Sequence, residues 1–177
     1  MIEPIALYLH MPFCQSKCLY CDFYSLPIAG QNMLLYAETV LLELAQYLKY
    51  FKRLEGKIPR LTSLYIGGGT PTALPKEQLL RLIRGCCEAL AAPPDIEITV
   101  EANPGTVDRE LLAALKAQGV NRLSLGVQTM DQCLLKRLGR RHTVEEAKQA
   151  VESAREAGFK NLSLDLMYGL PGQSKEQ

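Results

Sequence analysis

The sequence predicts an α/β fold in which parallel strands curl into a partial barrel. Segments with strand periodicity alternate with helical segments along the chain, and each strand has one apolar and one polar face. A parallel sheet covered by helices on both faces would be apolar on both. We therefore expect crossover helices to cover the apolar face, while the polar face lines the barrel interior.

Five strands and five helices are predicted, and their alternation favours parallel pairing with the helices as crossovers. In chain order they are strand 5–10, helix 31–53, strand 62–66, helix 76–91, strand 96–101, helix 107–118, strand 121–127, helices 131–138 and 143–157, and strand 161–167.

Alternation of apolar and polar residues predicts the strands. In the first strand, Leu7 and Leu9 alternate with Tyr8 and His10. The last three strands show the same pattern, and their polar positions are Glu97, Thr99, Glu101, Arg122, Ser124, Gln128, Ser163 and Asp165.

Apolar spacing and capping residues predict the helices. Gly119 and Gly158 stand where two helices end, and glycine readily adopts the left-handed conformation found there. Thr143 and Glu146 form the capping-box pattern that begins a helix. The first helix repeats apolar residues along one face, at Leu34, Ala37, Leu41, Leu44, Leu48 and Phe51.

Composition indicates one globular domain. The chain has 177 residues, 47% of them apolar, and a formal charge of +1. The sequence lacks the excess of basic residues that would indicate a nucleic-acid partner. No apolar run approaches the roughly 20 residues that span a bilayer. The chain opens without an export signal, so we expect a cytoplasmic location.

Three cysteines in one short loop are the most informative motif. Cys14, Cys18 and Cys21 have the spacing C-x3-C-x2-C, and no fourth cysteine lies nearby. An iron–sulfur cube held only by protein takes four thiolates. Three thiolates would leave one iron with an open position, as in a reactive metal site. The loop predicts a [4Fe-4S] cluster that binds an exchangeable ligand.

Two alternatives remain open for this loop. A zinc site would need a fourth ligand from His10, Asp22 or a distant residue. A disulfide framework is less favoured, because an intracellular protein keeps its thiols reduced. The remaining cysteines lie in helical patterns and are predicted to be small buried hydrophobic residues: Cys86, Cys87 and Cys133.

The polar residues at strand ends converge with this loop. A lone Glu101 or Asp165 would be an ordinary cap or surface residue, but several lie near the C-terminal edge, where barrel enzymes place their chemistry. The turn 67–72 carries three glycines, which let a backbone approach a ligand and expose its N–H and C=O groups. It lacks the spacing of nucleotide-binding loops, and we expect it to grip the cluster's fourth ligand.

Six ordered motifs resemble the radical S-adenosylmethionine (radical SAM) proteins of the oxygen-independent coproporphyrinogen III oxidase-like group, and most closely its heme-chaperone branch. The resemblance covers residues 5 to about 173. It rests on Y-x-H-x-P-F-C-x3-C-x-Y-C, I-G-G-G-T-P-T, E-A-N-P-G-T, L-S-L-G-V-Q-T, L-G-R-R-H and D-L-M-Y-G-L-P-G-Q. It implies an incomplete (β/α)6 partial barrel, with residues 1–177 forming a radical SAM core domain truncated before the sixth strand and the C-terminal region.

The resemblance also implies a role for each matching residue. Cys14, Cys18 and Cys21 would ligate the cluster. S-adenosylmethionine would contact Tyr8 near its methionine moiety and Tyr20 at its adenine. Its amino end would lie on Gly68, Gly69 and Thr70. Further polar contacts, to this molecule or to a second one, are implied for Glu101, Gln128, Arg140 and Asp165; a solvated basic pair is the competing interpretation of Arg140 with Arg141.

Two departures from the oxidase pattern favour the heme chaperone. Phe23 stands where the oxidases have another cysteine, and Asn103 with Gly105 matches the chaperone branch. The resemblance then implies heme binding in the full-length protein, a heme-acceptor protein and a low-potential electron donor such as flavodoxin or ferredoxin. The alternatives are coproporphyrinogen III oxidase, a radical methyltransferase acting on heme, or an inert truncated scaffold with an unpaired strand edge.

Overall fold

The computed structural model describes residues 3–174 and contains one main parallel sheet. Its helices and strands are β1 (Ile5–Met11), β2 (Phe13–Cys14), β3 (Leu26–Pro27), α1 (Met33–Glu55), β4 (Leu61–Gly68), α2 (Lys76–Ala89), β5 (Glu97–Ala102), α3 (Arg109–Ala117), β6 (Arg122–Gln128), α4 (Gln132–Arg137), α5 (Val144–Glu156) and β7 (Asn161–Leu166).

The strand order confirms the predicted architecture. The five long strands pair in parallel in the order β1-β4-β5-β6-β7, so each lies beside the next long strand of the chain. Each crossover therefore runs in the same direction, and β1 and β7 form the two edges of an open, partial barrel. Every predicted element is present, with bounds that differ by at most a few residues.

A two-stranded ribbon was not predicted. β2 and β3 pair in parallel across the base of the cysteine loop, with the Leu26 N–H donating to the Pro12 oxygen and the Ile28 N–H donating to the Cys14 oxygen at 3.0 Å. Strands of two residues are too short to show periodicity. The ribbon closes the loop that carries the three cysteines.

The core lies between the apolar face of the sheet and the helices. α1 begins at the cap residue Asn32, whose side chain accepts the Leu35 N–H at 3.0 Å. The buried face of α1 includes Met33 rather than the predicted Leu34, which is 47% exposed. The other buried positions follow the predicted face, at Ala37, Leu44 and Leu48.

The predicted caps are present, and two burial predictions are wrong. Gly119 and Gly158 have positive φ, and Thr143 and Glu146 exchange both capping-box hydrogen bonds. Cys86 is buried as predicted, but Cys87 is only partly buried. Cys133 is exposed, because α4 buries Leu134 and Leu135 and turns the Cys133 side to solvent.

The outer face of β7 is also more open than predicted. Leu164 is 45% exposed and Leu166 is 63% exposed. The apolar face was expected to be covered by helices, but within residues 3–174 no helix follows β7 to cover it. No helix in the same range is both long and apolar enough to cross a membrane.

Candidate functional site

A cavity of about 380 Å³ lies at the C-terminal edge of the sheet. The cysteine loop forms one side, and the ends of β4, β5, β6 and β7 form the other. Most of the predicted site residues line it: Cys14, Cys18, Cys21, Tyr20, Gly68, Gly69, Glu101, Gln128, Arg140 and Asp165. Residues from six separate segments thus meet in one place, because parallel strands bring their C-terminal ends together.

Two predicted residues lie beside the cavity rather than on its wall. The Tyr8 hydroxyl is 3.0 Å from His10 Nδ1, and the Tyr8 ring centroid is 6.0 Å from that of Tyr65. Thr70 is buried, and its hydroxyl is 3.6 Å from the Cys14 sulfur. The Thr70 hydroxyl is therefore placed to form a hydrogen bond with a cysteine sulfur.

The cysteine loop is anchored at several points. The β2–β3 ribbon closes its base, the Cys21 N–H donates to the Cys18 oxygen at 3.1 Å, and the Leu19 N–H donates to the Leu138 oxygen at 3.1 Å. All three thiols are partly exposed. Within residues 3–174, no three His, Cys, Asp or Glu side chains converge closely enough to hold a metal ion as they stand. The three soft sulfur donors still fit an iron–sulfur cluster, since all three face one cavity.

The glycine turn packs against the protein more closely than the sequence suggested. The Gly68 N–H donates to Glu101 Oε2 at 2.9 Å, and the N–H groups of Gly69 and Thr70 donate to the carbonyls of Met11 and Phe13 at 2.7 and 2.8 Å. The expectation that this turn exposes free N–H groups is wrong for these three residues. The turn would offer a ligand its carbonyl oxygens.

Steric crowding explains why this turn consists of glycines. A Cβ at Gly69 would lie 2.7 Å from the Phe13 oxygen and 3.0 Å from the Cys14 sulfur. Gly68 has φ +112°, and a Cβ there would lie 2.6 Å from His10 Nδ1. The glycines allow the turn to pack directly against the cysteine loop.

Glu101 is held by two donors. Its Oε1 accepts the Tyr65 hydroxyl at 2.7 Å, and its Oε2 accepts the Gly68 N–H. Burial, and then the hydrogen bond to Glu101, raise the pKa of Tyr65 well above its usual range. The carboxylate is thereby fixed at the cavity wall, where its remaining lone pairs can accept from a ligand.

Arg140 lies at the centre of the site and is not a solvated surface residue. Its Nη1 donates to the Cys18 sulfur at 3.4 Å, and its Nη2 donates to Asn103 Oδ1 at 2.6 Å and to the Gly126 oxygen at 2.5 Å. Its Nε is buried without a protein partner among the described residues. Tyr20 is near the same guanidinium, and burial raises the pKa of its phenol to about 12.

Gln128 has an unusual backbone conformation at the end of β6. Its φ is +71°, the Thr129 N–H donates to the Val127 oxygen at 3.0 Å, and the Gln128 oxygen accepts the Met167 N–H at 2.8 Å. A non-glycine residue in this region is costly, and such residues concentrate at functional sites. The tight turn lets the side chain lie over Gly126, where a Cβ would be 3.1 Å from Gln128 Nε2.

The sequence prediction gave no site role to several residues that the structure places here. Tyr65 holds Glu101, Asn103 contacts Arg140, and Ser124 donates to Asp165 Oδ1 at 3.0 Å. Gly126 lies under the Arg140 contact. Their position at the polar face or C-terminal ends of the strands was the available signal, but their partners lie far away in the sequence.

Comparison with known proteins agrees with this architecture. The profile of the radical SAM superfamily matches residues 8–177. The heme chaperones HemW of Lactococcus lactis subsp. lactis and Escherichia coli are both 41% identical to this chain, over 174 and 177 residues. These alignments cover 98% and 99% of this chain but 44% and 46% of the relatives, so the chain spans less than half of their length.

Solved structures show the same fold. Coproporphyrinogen III oxidase (HemN) from Escherichia coli, a radical SAM enzyme, superposes with a TM-score of 0.88 at 33% identity, covering 98% of this chain and 39% of that one. Elp3 from the archaeon Methanocaldococcus infernus superposes with a TM-score of 0.60 at 24% identity, covering 81% of this chain and 37% of that one, which supports the fold alone. Since the family profile spans almost the whole sequence, this chain belongs to the radical SAM superfamily.

Proposed function

We propose that Cys14, Cys18 and Cys21 hold a [4Fe-4S] cluster with one open iron position, and that S-adenosylmethionine occupies the rest of the cavity. The radical SAM family implies both groups. The observation that carries the assignment to these residues is their convergence: the only loop of the sequence with three cysteines lines the same cavity as the polar strand ends. When bound, the cluster supplies the electron that cleaves the sulfonium cofactor.

The cavity residues suit the two ends of that cofactor. Because the N–H groups of the glycine turn are already used, Gly68 and Gly69 would hold the ammonium group through carbonyl oxygens. Glu101 and Asp165 supply further acceptors, for ammonium or ribose hydroxyl groups. Tyr20 presents an aromatic ring at the wall, which suits stacking on the adenine.

The remaining predicted residues have supporting roles. Arg140 provides the positive charge for the cofactor's carboxylate while staying bonded to Asn103. Gln128 would contribute a polar contact from its constrained position on the cavity wall. Thr70 would contribute indirectly, through its contact with the Cys14 sulfur. Tyr8, whose ring lies beside that of Tyr65, would border the methionine end of the cofactor.

For the full-length protein we propose a role as a heme chaperone, because the similar proteins from several bacteria carry that name at about 40% identity. The two histidines of this chain already have contacts: His10 Nε2 lies 3.1 Å from the Tyr24 oxygen, and His142 Nε2 lies 3.2 Å from the Val127 oxygen. Heme binding is therefore proposed for the full-length protein, together with a heme-acceptor protein and an electron donor of the flavodoxin or ferredoxin type.

Oxygen-independent coproporphyrinogen III oxidase is the second candidate, since the solved oxidase superposes closely on this chain. Phe23 argues against it. This side chain lines the cavity and is 68% exposed at the position where the oxidase pattern has a cysteine. A bulky apolar group beside the cluster loop changes the surface that would hold a porphyrinogen, and small displacements of a substrate cost large factors in rate.

The cluster assignment is tested by anaerobic reconstitution followed by iron analysis and electron paramagnetic resonance (EPR). We expect about four irons per chain and a reduced-cluster spectrum that changes on addition of S-adenosylmethionine. Replacing Cys14, Cys18 or Cys21 by Ala should remove the cluster. Cys133→Ala is the matched control, since its thiol is exposed and lies outside the cavity. Full iron in the loop variants, or zinc alone in the native protein, would contradict the assignment.

The choice between the two functions needs the full-length protein. We expect it to bind heme and to leave coproporphyrinogen III unchanged under anaerobic conditions with reductant and S-adenosylmethionine. Catalytic formation of protoporphyrinogen IX would overturn the chaperone assignment, whatever the heme affinity.

A further inference from the structure

Asn103 joins two of the three loop cysteines through one chain of hydrogen bonds. Its amide nitrogen donates to Thr70 Oγ1 at 2.9 Å, and that hydroxyl is 3.6 Å from the Cys14 sulfur. Its amide oxygen accepts Arg140 Nη2 at 2.6 Å, and Arg140 Nη1 donates to the Cys18 sulfur at 3.4 Å. A side chain on β5's C-terminal side is thus connected to both sulfurs.

Donor and acceptor chemistry fixes the direction of each hydrogen bond in this series. A guanidinium only donates, so the oxygen of Asn103 must face Arg140 and its NH₂ must face Thr70. Because the Thr70 oxygen accepts from Asn103, its own proton is free to point at Cys14. A thiolate there is an acceptor, so both Cys14 and Cys18 receive hydrogen bonds whose orientation depends on Asn103.

The surroundings hold Asn103 in place. Its backbone N–H donates to Thr106 Oγ1 at 3.3 Å, and its backbone oxygen accepts the Thr106 N–H at 2.9 Å. Thr106 Oγ1 is in turn 2.6 Å from Thr72 Oγ1, in the turn that follows Thr70. Gly126 lies against the amide, and a Cβ there would be 3.0 Å from Asn103 Oδ1. The amide is therefore oriented before any cofactor binds.

We propose that Asn103 is a positioning residue that directs hydrogen bonds from Thr70 and Arg140 to the cluster thiolates and thereby raises the cluster's reduction potential. The inference rests on the proposed cluster at Cys14, Cys18 and Cys21. Adding an electron makes the cluster sulfurs more negative and better acceptors, so hydrogen bonds to them favour the reduced state. Asn103 acts through the two donors and touches neither sulfur.

Thr70→Val is the sharpest test, because it removes the hydroxyl without changing charge or volume much, and Thr70→Ser is its matched control. The reduction potential of the anaerobically reconstituted protein is measured by EPR-monitored titration with dithionite. At a fixed potential, we expect Thr70→Val to lower the ratio of reduced to oxidised cluster about tenfold, which is 59 mV for one electron. Thr70→Ser should stay within about twofold of the wild type, since it keeps the donor.

Asn103→Asp tests the relay itself. The carboxylate still accepts from Arg140, but it also accepts the Thr70 proton, so the hydrogen bond to Cys14 is lost. We expect the potential to fall, and we expect the effect to be clearly smaller in a Thr70→Val background, because the two changes remove the same hydrogen bond. Asn121→Asp is the control, since Asn121 is bonded to Ile96 and Ile98 at the opposite edge of the sheet.

The outcomes separate this inference from the proposed function. A wild-type protein without a cluster would overturn both. A normal wild-type cluster with equal potentials in Thr70→Val and Thr70→Ser would overturn only the inference, as would an Asn103→Asp effect that adds in full to that of Thr70→Val. A lower potential in Thr70→Val than in Thr70→Ser would support it, as would a smaller effect of Asn103→Asp in the Thr70→Val background than in the wild type.

Discussion

Replacing Gly69 by Ala should disturb both the fold and the cluster site. An added Cβ would lie 2.7 Å from the Phe13 oxygen and 2.8 Å from the Met11 oxygen. Ordinary C···O contacts are about 3.3 Å or longer, so the backbone must separate by about 0.5 Å. Those two carbonyls accept the N–H groups of Thr70 and Gly69, so the shift weakens both hydrogen bonds.

The size of the effect follows from these contacts. Overpacking a tight site typically costs about 1–3 kcal/mol, and weakening two backbone hydrogen bonds lies within the same order. We expect a loss of about 2 kcal/mol in unfolding free energy, or roughly 4–8 °C in Tm for a chain of this size. The same Cβ would lie 3.0 Å from the Cys14 sulfur, so iron content after reconstitution should fall as well.

Urea unfolding of the apoprotein and iron analysis of the reconstituted protein measure the two effects. Gly105→Ala is the matched control, because a Cβ there meets only the His142 Cβ at 3.7 Å, an ordinary contact. If Gly69→Ala unfolded at the same urea concentration as Gly105→Ala and held as much iron, the argument that this turn must pack against the cysteine loop would be wrong.

Two further predictions concern stability. Burial, and then the nearby Arg140 charge, lower the pKa of His142 from its usual 6.5, so the folded state favours the neutral ring. The stabilisation should be complete above pH 6.5 and should be lost as the pH drops through the lower pKa of the folded state. His142→Gln should flatten this dependence in urea unfolding between about pH 7.5 and 5.5. Thr143→Ala removes the side chain that accepts the Glu146 N–H at 3.1 Å, so it should cost about 1 kcal/mol in the same assay, whereas Thr39→Ala, in the interior of α1, should cost almost nothing.

The fold was predictable because the burial of one face of a strand produces a local alternation of apolar and polar residues in the sequence. Leu7 and Leu9 alternate with Tyr8 and His10 whatever strand lies beside them, and the caps at Thr143 and Gly158 depend on neighbouring residues only. The exceptions required knowledge of what covers each element. Cys133 lies in an apolar pattern but on an exposed helix face, and the apolar face of β7 packs on the core at Leu162 but is exposed at Leu164 and Leu166.

The location of the site was predictable for a related reason. Parallel strands joined by crossovers place their C-terminal ends at one edge, so residues that follow different strands must meet there. Whether their hydrogen-bonding groups are free or already paired within the protein was not predictable. The glycine turn looked free to bind a ligand, yet the N–H of Gly68 is committed to Glu101, 33 residues later, and no local pattern records such a pairing.

Glu101 and Asn103 show most clearly what the sequence lacks. Both are polar and lie near the end of β5, and only the carboxylate was assigned a site role. In the structure Glu101 is bonded to Tyr65 and Gly68, while Asn103 connects to both Cys14 and Cys18 through partners 33 and 37 residues away. That connection requires the registers of β4, β5 and β6 together, since a shift of one residue in β5 would turn its side chains to the opposite face. The cysteine spacing marks where the cluster would bind, but the hydrogen bonds that would tune it are a property of the whole sheet.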